Sequence, residues 1–505
     1  MRFSSICASF SASILLGCAS QLVSAQSSSG LLIDPPGFQP LPVLSGNKQG
    51  PIESGIVTGL NFSNIQGDIL IGMRKNKELF FFFGIQSVAT FKSKLASDIY
   101  PLITSTAQLL DNTTTPPATL LNIAFSQSGL TTLGVSGGLV DSSDPFATGQ
   151  ANDSVNLGDP QPITNNWIPG FVNTNSLHGV LLIGSNTTDN VNAELANIQA
   201  ILGDSIVEIH RLQGEARPGD EQGHEHFGFL DGIGQPAVDG FSPTVFPGQA
   251  EVPASTILFG QTGDPNHVTW AQDGSFLAFR QLKQLVPEFN KFLADNAVFV
   301  TGVDTPAEGA ALLGARMVGR WQSGAPIDLT PLKDDPSLGT NPNVNNNFTF
   351  VDAGDNSRCP FAAHIRKTNP RADLTGDING FPTHHIIRAG IPYGPEVTPA
   401  ETASNTTTIE RGLAFVAYQS SIPNGFRFLQ QQWANNPNFF AHTNFPVPGF
   451  DPIIGANEGK PRNVQGLDPA NQTRNITLYT DFVESRGGEY FFSPSLSAIL
   501  TTITT

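Results

Sequence analysis

Residues 226–236 read HFGFLDGIGQP and set one carboxylate, Asp231, among Phe227, Phe229, Leu230 and Ile233, with glycines at 228, 232 and 234. Apolar neighbours normally exclude a charge, because taking an unpaired carboxylate out of water is costly. Glycine serves where a chain turns sharply or where something large approaches its backbone. An acid in such a place can move protons, although Asp-Gly is also a common turn signal and Asp231 can be that alone. Further on, IIRAGIPYG (386–394) sets Arg388 between Ile387 and a glycine-bearing turn. Its plain reading is an exposed arginine ending a strand. If it converged with Asp231 in an apolar pocket, it would stabilise developing negative charge while the acid moved protons. Spacing alone does not bring the two together.

The nine histidines include His224 and His226 in GHEHF, His384 and His385 in THHII, and His364 in CPFAAHIRKTNPR. Alternate residues on a strand point the same way, so GHEHF could hold a metal. It lacks the i, i+4 pair of a zinc-protease helix, and no third ligand is evident. THHII reads more simply as a polar strand end. His364 follows Cys-Pro and precedes Arg366, Lys367 and Arg371. It is either a packed or surface histidine or an axial ligand to a haem iron, with an arginine at hand to pair a propionate. Cys359 is a rival, since a thiolate also binds haem iron. No C-x-x-C-H occurs, which excludes the usual covalent attachment. The glycines of GFLDGIGQP do not form G-x-G-x-x-G, and no second D-T/S-G segment occurs.

These residues need a scaffold. ELFFFFGI (78–85), HGVLLIGS (178–185), FLAFRQL (276–282) and GLAFVAYQ (412–419) read as strands bounded by turn or polar residues. A helix starts at TPAE, with Thr305 as N-cap, Pro306 in the first turn and Glu308 closing a capping box. Leu313, Met317 and Trp321 recur on one of its faces. Strands and helices mix without a regular βαβ rhythm, which favours an α+β fold. Much of 325–360 and 440–475 is Pro/Asn/Asp-rich loop, long enough to wrap a site.

The 505 residues suffice for two or three domains, and 39% hydrophobic against 14% charged residues supports a substantial core. Acidic residues outnumber basic ones 43 to 26, a net charge of −17 that argues against nucleic acid or anionic membrane as a partner. Residues 1–25 have the three-part form of a secretory signal, with cleavage expected after Ala25. Residues 26–56, rich in Ser, Gly and Pro, read as a prosegment or disordered arm. Cys7 and Cys18 lie in the signal, which leaves Cys359 alone and no intramolecular disulfide. Sequons at Asn61, Asn112, Asn152, Asn186, Asn347, Asn405, Asn471 and Asn475 suit a secreted, extracellular glycoprotein.

Together GFLDG, CPFAAHIRKTNPR, IIRAGIPYG and GLAFVAYQ, with NIQGDIL upstream, resemble the dye-decolorising peroxidases, in particular their secreted fungal branch. The resemblance runs from about residue 57 to the C-terminus. It implies two ferredoxin-like domains with antiparallel sheets, of the dimeric α+β barrel type, at 57–225 and 226–505, enclosing one non-covalent haem b. His364 would be the proximal iron ligand, with Asp451 in FDPIIG hydrogen-bonded to it. Asp231 and Arg388 would stand on the distal side, walled by Leu413 and Phe415. Gly232 would let the chain pass close to the macrocycle, and Arg371 would pair a propionate.

The implied reaction is the oxidation of anthraquinone-type dyes and phenolic or lignin-related donors by hydrogen peroxide, in one-electron steps through an oxoferryl porphyrin radical. Asp231 would carry the proton between the peroxide oxygens, and its low pKa would give an acidic optimum. Because a pocket walled by Leu413 and Phe415 excludes large dyes, Tyr393 and Trp433 are candidate surface relays; the alternative is that both are structural aromatics, a reading at least as good for Trp433. The resembled protein would work as a monomer. The alternative is a secreted haem-binding or iron-handling protein with little turnover. A third reading is a metal-dependent hydrolase using GHEHF.

Overall fold

Lys77–Ile85 carries four consecutive phenylalanines and forms a strand buried along almost its whole length. Both of its faces therefore need cover, and a closed sheet with helices outside provides it. In the computed structural model, which describes residues 59–111, 117–135, 138–264, 268–350, 356–439 and 447–505, this strand is β1. The expected signal (1–25) and arm (26–56) lie outside the described residues. β2 (Thr119–Phe125), β3 (Gly179–Ser185) and β4 (Ile206–Glu215) follow. Then come the short pair β5 (Ala237–Val238) and β6 (Glu251–Val252), then β7 (Ser275–Gln284), β8 (Ile387–Arg388), β9 (Ile391–Tyr393) and β10 (Gly412–Gln419). The small pair β11 (Arg462–Val464) and β12 (Ile476–Leu478) and the long β13 (Val483–Ser493) complete the set.

Nine of these strands join in the order β7-β13-β2-β3-β1-β4-β9-β10-β8, and a further β7–β10 pairing closes the ring into a barrel. Among the described residues the two halves of the chain pair in it at Phe492 opposite Phe125 and at Gly214 opposite Tyr393. Side chains alternate across each strand. Phe80 and Phe82 of β1 pack with Val180, Leu182, Leu277, Phe279, Val416 and Phe491 in one cluster drawn from all round the ring. Leu79, Phe81 and Phe83 turn the other way, to Leu181 and Ile183 and to Val191, Leu195 and Ile198 of the helix Thr188–Leu202. This is the expected α+β architecture, with the two halves sharing one barrel.

The four strands expected from the sequence are β1, β3, β7 and β10. The helix at TPAE spans Pro306–Val318, with both bonds of the capping box formed by Thr305 and Glu308. One detail differs. Leu313 and Met317 lie on this helix, whereas Trp321 lies beyond it, because Gly319 takes a left-handed φ of 95° and ends the last turn. Gly319 sits so close to Ile365 that a Cβ would not fit, which docks the helix end beside His364. Buried Arg316 on the same helix pins the two long loops, donating to the carbonyls of Ser357 (3.0 Å), Arg358 (2.9 Å) and Gly466 (2.7 Å). Among the described residues no helix is long and apolar enough to cross a membrane.

Candidate functional site

β7 and β10 pair so that Leu282 opposes Leu413 and Arg280 opposes Phe415. These side chains share the outward face of the barrel, where Phe415 packs on the second cluster, and they floor a cavity of about 280 Å³. The 229–234 turn, the 364–371 segment and residues 384–388 form its other walls. His364, Asp231, Gly232, Arg388, Arg371, Leu413 and Phe415, far apart in the chain, all line it. Asp451 stands immediately behind.

His364 opens the short helix His364–Thr368. Its Nδ1 lies 2.8 Å from Asp451 Oδ2. Asp451 is fully buried, and its Oδ1 accepts from the amides of Ile453 (2.8 Å) and Ile454 (3.0 Å). The carboxylate can only accept, so Nδ1 carries the proton and Nε2 is the nitrogen left with a lone pair for the cavity. Burial opposes charging of His364, but the charge and hydrogen bond of Asp451 outweigh it and raise its pKa. Cys359 fails as a rival ligand. It is buried in the third core cluster away from the cavity, and burial pushes its thiol up to about 12, so no thiolate is available.

Asp231 Oδ1 accepts from Arg388 Nη1 at 2.5 Å and from the amide of Gly232 at 2.6 Å. Gly232 has a φ of 82°, which a side chain would strain. Asp231 keeps 39% of its side-chain surface, and that surface faces the cavities. Enclosure by protein raises its pKa, yet the charge and hydrogen bond of Arg388 and the Gly232 amide prevail, leaving it below the ordinary value. Arg388 is held through its backbone: Gln235 donates to its carbonyl (2.6 Å) and accepts from its amide (3.1 Å).

Whether these residues fit a haem can be judged from the polar groups they leave unmatched. Arg371 donates from Nη1 to the carbonyls of Asn346 (2.9 Å) and Phe348 (3.0 Å) and stacks on the Phe348 ring at 3.9 Å. Arg320, also on the cavity wall, donates to the carbonyls of Gly324 (3.0 Å) and Asn345 (2.7 Å). Neither has a carboxylate partner among the described residues, and burial presses them down to about 10 and about 9. Nearby His385 gives its Nδ1 to the carbonyl of Phe381 (3.0 Å), while its buried Nε2 has no partner among the described residues. One imidazole lone pair and two buried guanidinium groups without a carboxylate partner among the described residues match an iron porphyrin with two propionates. The residues fit haem b.

The remaining candidates fall elsewhere. His226 Nε2 faces the carbonyl of Tyr393 at 2.9 Å, and burial depresses its pKa to about 4. Among the described residues no three His, Cys, Asp or Glu side chains stand together to hold a bare ion. Tyr393 and Trp433 are not surface groups: they are 4% and 5% exposed. Tyr393 is packed in the barrel cluster because β9 lies between β4 and β10, and Trp433 is enclosed by Phe381, His384, Phe428 and Phe439. Sequence reasoning also missed Gln235, Arg320, Glu225 and His385 as parts of the site. The glutamine of GIGQP and the second histidine of THHII were visible, but nothing in their spacing showed which backbone or cavity they meet.

Comparison with known proteins places this geometry. Residues 64–218 match the family model of the DyP dimeric alpha+beta barrel domain, and residues 227–439 match that of the Dyp-type peroxidase C-terminal region. The dye-decolorizing peroxidase msp1 of Mycetinis scorodonius is 56% identical, the match covering 99% of this chain and 98% of that protein. The dye-decolorizing peroxidase AauDyP1 of Auricularia auricula-judae is 54% identical over 88% of this chain and 87% of its own length. A crystal structure of AauDyP complexed with imidazole superposes with a TM-score of 0.85 at 53% identity, covering 88% of this chain and all of that one.

Proposed function

The chain belongs to the DyP-type peroxidase family and is a haem peroxidase acting on dyes, with haem b as cofactor, and from this we propose how its own residues carry the reaction and where it works. His364, braced by Asp451, would hold the iron. Arg320 and Arg371 would pair the propionates, and Leu413 and Phe415 would keep the peroxide side narrow. Haem bound there would supply the redox chemistry, the reduction of peroxide and the one-electron oxidation of donors. Asp231 takes the proton from one oxygen of hydrogen peroxide and returns it to the other, which leaves as water. Arg388 keeps Asp231 ionised and donates to the negative charge that builds on the peroxide. The observation that carries this reading is the 2.5 Å contact between Arg388 and Asp231 in the same cavity as a carboxylate-braced His364. The deciding experiment is rapid-mixing absorption spectroscopy of the haem-loaded protein with one equivalent of hydrogen peroxide. A Soret band that drops within milliseconds supports it, and a band indifferent to peroxide leaves a haem carrier instead.

Arg388→Leu tests the electrostatics. Without the guanidinium, burial is opposed only by the Gly232 amide and the charge of His364, so the Asp231 pKa rises and the ionised base is lost at a higher pH than in the wild type. The peroxide rate is expected to fall about 10²–10³-fold, with its acid limb displaced upward. An acid limb that stays in place would separate Asp231 from the profile.

We extend the reading to phenolic and lignin-related donors, oxidised one electron at a time. Leu413 and Phe415 wall the cavity against a bulky dye, which favours relay through the protein. Tyr393 is our first candidate: its hydroxyl donates at 3.1 Å to Glu410, which can take the proton when the ring gives up an electron. Tyr393→Phe is expected to slow oxidation of a bulky anthraquinone dye at least about threefold while the reaction with peroxide keeps its rate. Equal dye rates would remove Tyr393 from the route.

We place the protein outside the cell as a monomeric glycoprotein, on the strength of residues 1–25 and the sequons. Asn61, Asn152, Asn347, Asn405, Asn471 and Asn475 are all exposed. Glycosidase treatment and size-exclusion chromatography of the secreted protein test both statements.

A further inference from the structure

A second cavity of about 250 Å³ adjoins the first, and Glu225, Asp231, Gly232, Arg388 and Leu413 border both. Of these, Glu225 has no part in the reaction derived above. Its accessible surface opens on the two cavities, and its carboxyl is otherwise enclosed by protein. Oε2 accepts from the amide of Phe227 and Oε1 from the amide of Phe229, both at 2.9 Å. Oε2 also accepts from Nε2 of Gln284, the last residue of β7. The backbone of Glu225 closes the same turn, its amide donating to Phe229 (3.1 Å) and its carbonyl accepting from Gly228 (2.8 Å) and from Arg217 Nη1 (2.8 Å). The chain that leaves this turn reaches Asp231 two residues after Phe229.

We propose that Glu225 is a positioning residue for the reaction with hydrogen peroxide, tying the turn that presents Asp231 to the barrel through Gln284 and so fixing where Asp231 stands against Arg388. The proposal rests on Asp231 being the acid–base group. A turn whose glycines permit many conformations needs such a tie, and one carboxylate bridging two of its amides supplies it. The charged groups around Glu225 are few: Asp231 on the same segment and Arg217, which faces its carbonyl, while Gln284 on β7 is neutral. Burial, working against the three donors, pushes Glu225 up to about 7. Its protonated form can also be accommodated. Gln284 Oε1 is buried with no partner among the described residues, so turning over that amide lets it accept the carboxyl O–H.

Two states of one tie give a test that a purely structural role would not pass. In acid Glu225 is neutral and Glu225→Gln resembles it, whereas above 7 the wild type grips both amides with charge-assisted bonds and the variant does not. Haem-loaded wild type, Glu225→Gln and Glu225→Ala are mixed with hydrogen peroxide from pH 4 to 8, following the Soret band. The expected result is a Glu225→Gln rate within about twofold of wild type at pH 4–5 that falls behind as pH rises through 7. Glu225→Ala is expected to be slower at every pH by about tenfold or more while still binding haem, since small misplacements of catalytic groups are costly. Variants that track the wild type at all pH values would overturn the proposal, as would a Glu225→Gln deficit independent of pH. A wild type indifferent to peroxide would instead overturn the reading of Asp231 on which it rests.

Discussion

Replacing Asp231 with Asn is expected to leave haem bound and to slow the reaction with hydrogen peroxide by about 10²–10⁴-fold, the usual worth of a positioned acid–base group. The substitution is nearly isosteric. The amide oxygen can still accept from Gly232 and Arg388, as Asp231 Oδ1 does at 2.6 and 2.5 Å. What disappears is the ability to take a proton, because a carboxamide is not a base in water. The two Soret spectra before peroxide should therefore match, and only the rate of change after mixing should differ. The wild type, whose Asp231 pKa is held below the ordinary value, should stay reactive in acid where an imidazole base would already be protonated. A variant within tenfold of the wild type would mean that another group moves the proton. Glu225, the other carboxyl bordering both cavities, would then be the first to test.

How far the sequence shows this site depends on what kind of signal each part leaves. β1, β3, β7 and β10 were legible because their apolar runs are continuous, as strands covered on both faces must be. β4 was not: its burial alternates irregularly, with Arg211 and Glu208 paired on the outside. Two- and three-residue strands such as β8 and β9 exist because longer strands are there to pair with them, β10 for both and β4 for β9 as well. The two halves of the barrel join through Phe492 opposite Phe125, a contact between distant segments that no local pattern announces. The same holds for the site. Asp231, Arg388, His364 and Asp451 were named from motifs, yet their convergence depends on Gln235 clamping the Arg388 backbone and on Ile453 and Ile454 fixing Asp451. Exposure was misjudged for the same reason. Tyr393 and Trp433 look like any other aromatic in the sequence, and it is Tyr479, not singled out beforehand, that stands 80% exposed.

His364→Ala should have the largest effect of all, since it removes the only group offered to the iron from that wall. The apoprotein is expected to keep its circular dichroism, because the His364 side chain is 28% exposed towards the cavity and supports little packing. After haem is added and excess removed, the Soret band should be largely lost. Free imidazole, small enough for the vacated space, should restore part of it. Asp451→Asn gives a sharper test of the tautomer argument. Asp451 Oδ1 is held by the amides of Ile453 and Ile454, so an asparagine at 451 keeps its oxygen there and turns its NH₂ towards His364. Facing a donor, His364 Nδ1 must become the acceptor and the ring proton moves to Nε2, the nitrogen the iron needs. The loss should therefore exceed the 10–100-fold typical of removing a hydrogen-bond partner behind a metal ligand and approach that of His364→Ala. Cys359→Ala, in the core away from the cavity, should leave the Soret band where it is. If Asp451→Asn bound haem as the wild type does while His364→Ala did not, His364 would remain the ligand and the carboxylate would lose its part in setting the tautomer. A Soret band that survived His364→Ala and vanished in Cys359→Ala would reverse the assignment of the iron ligand itself.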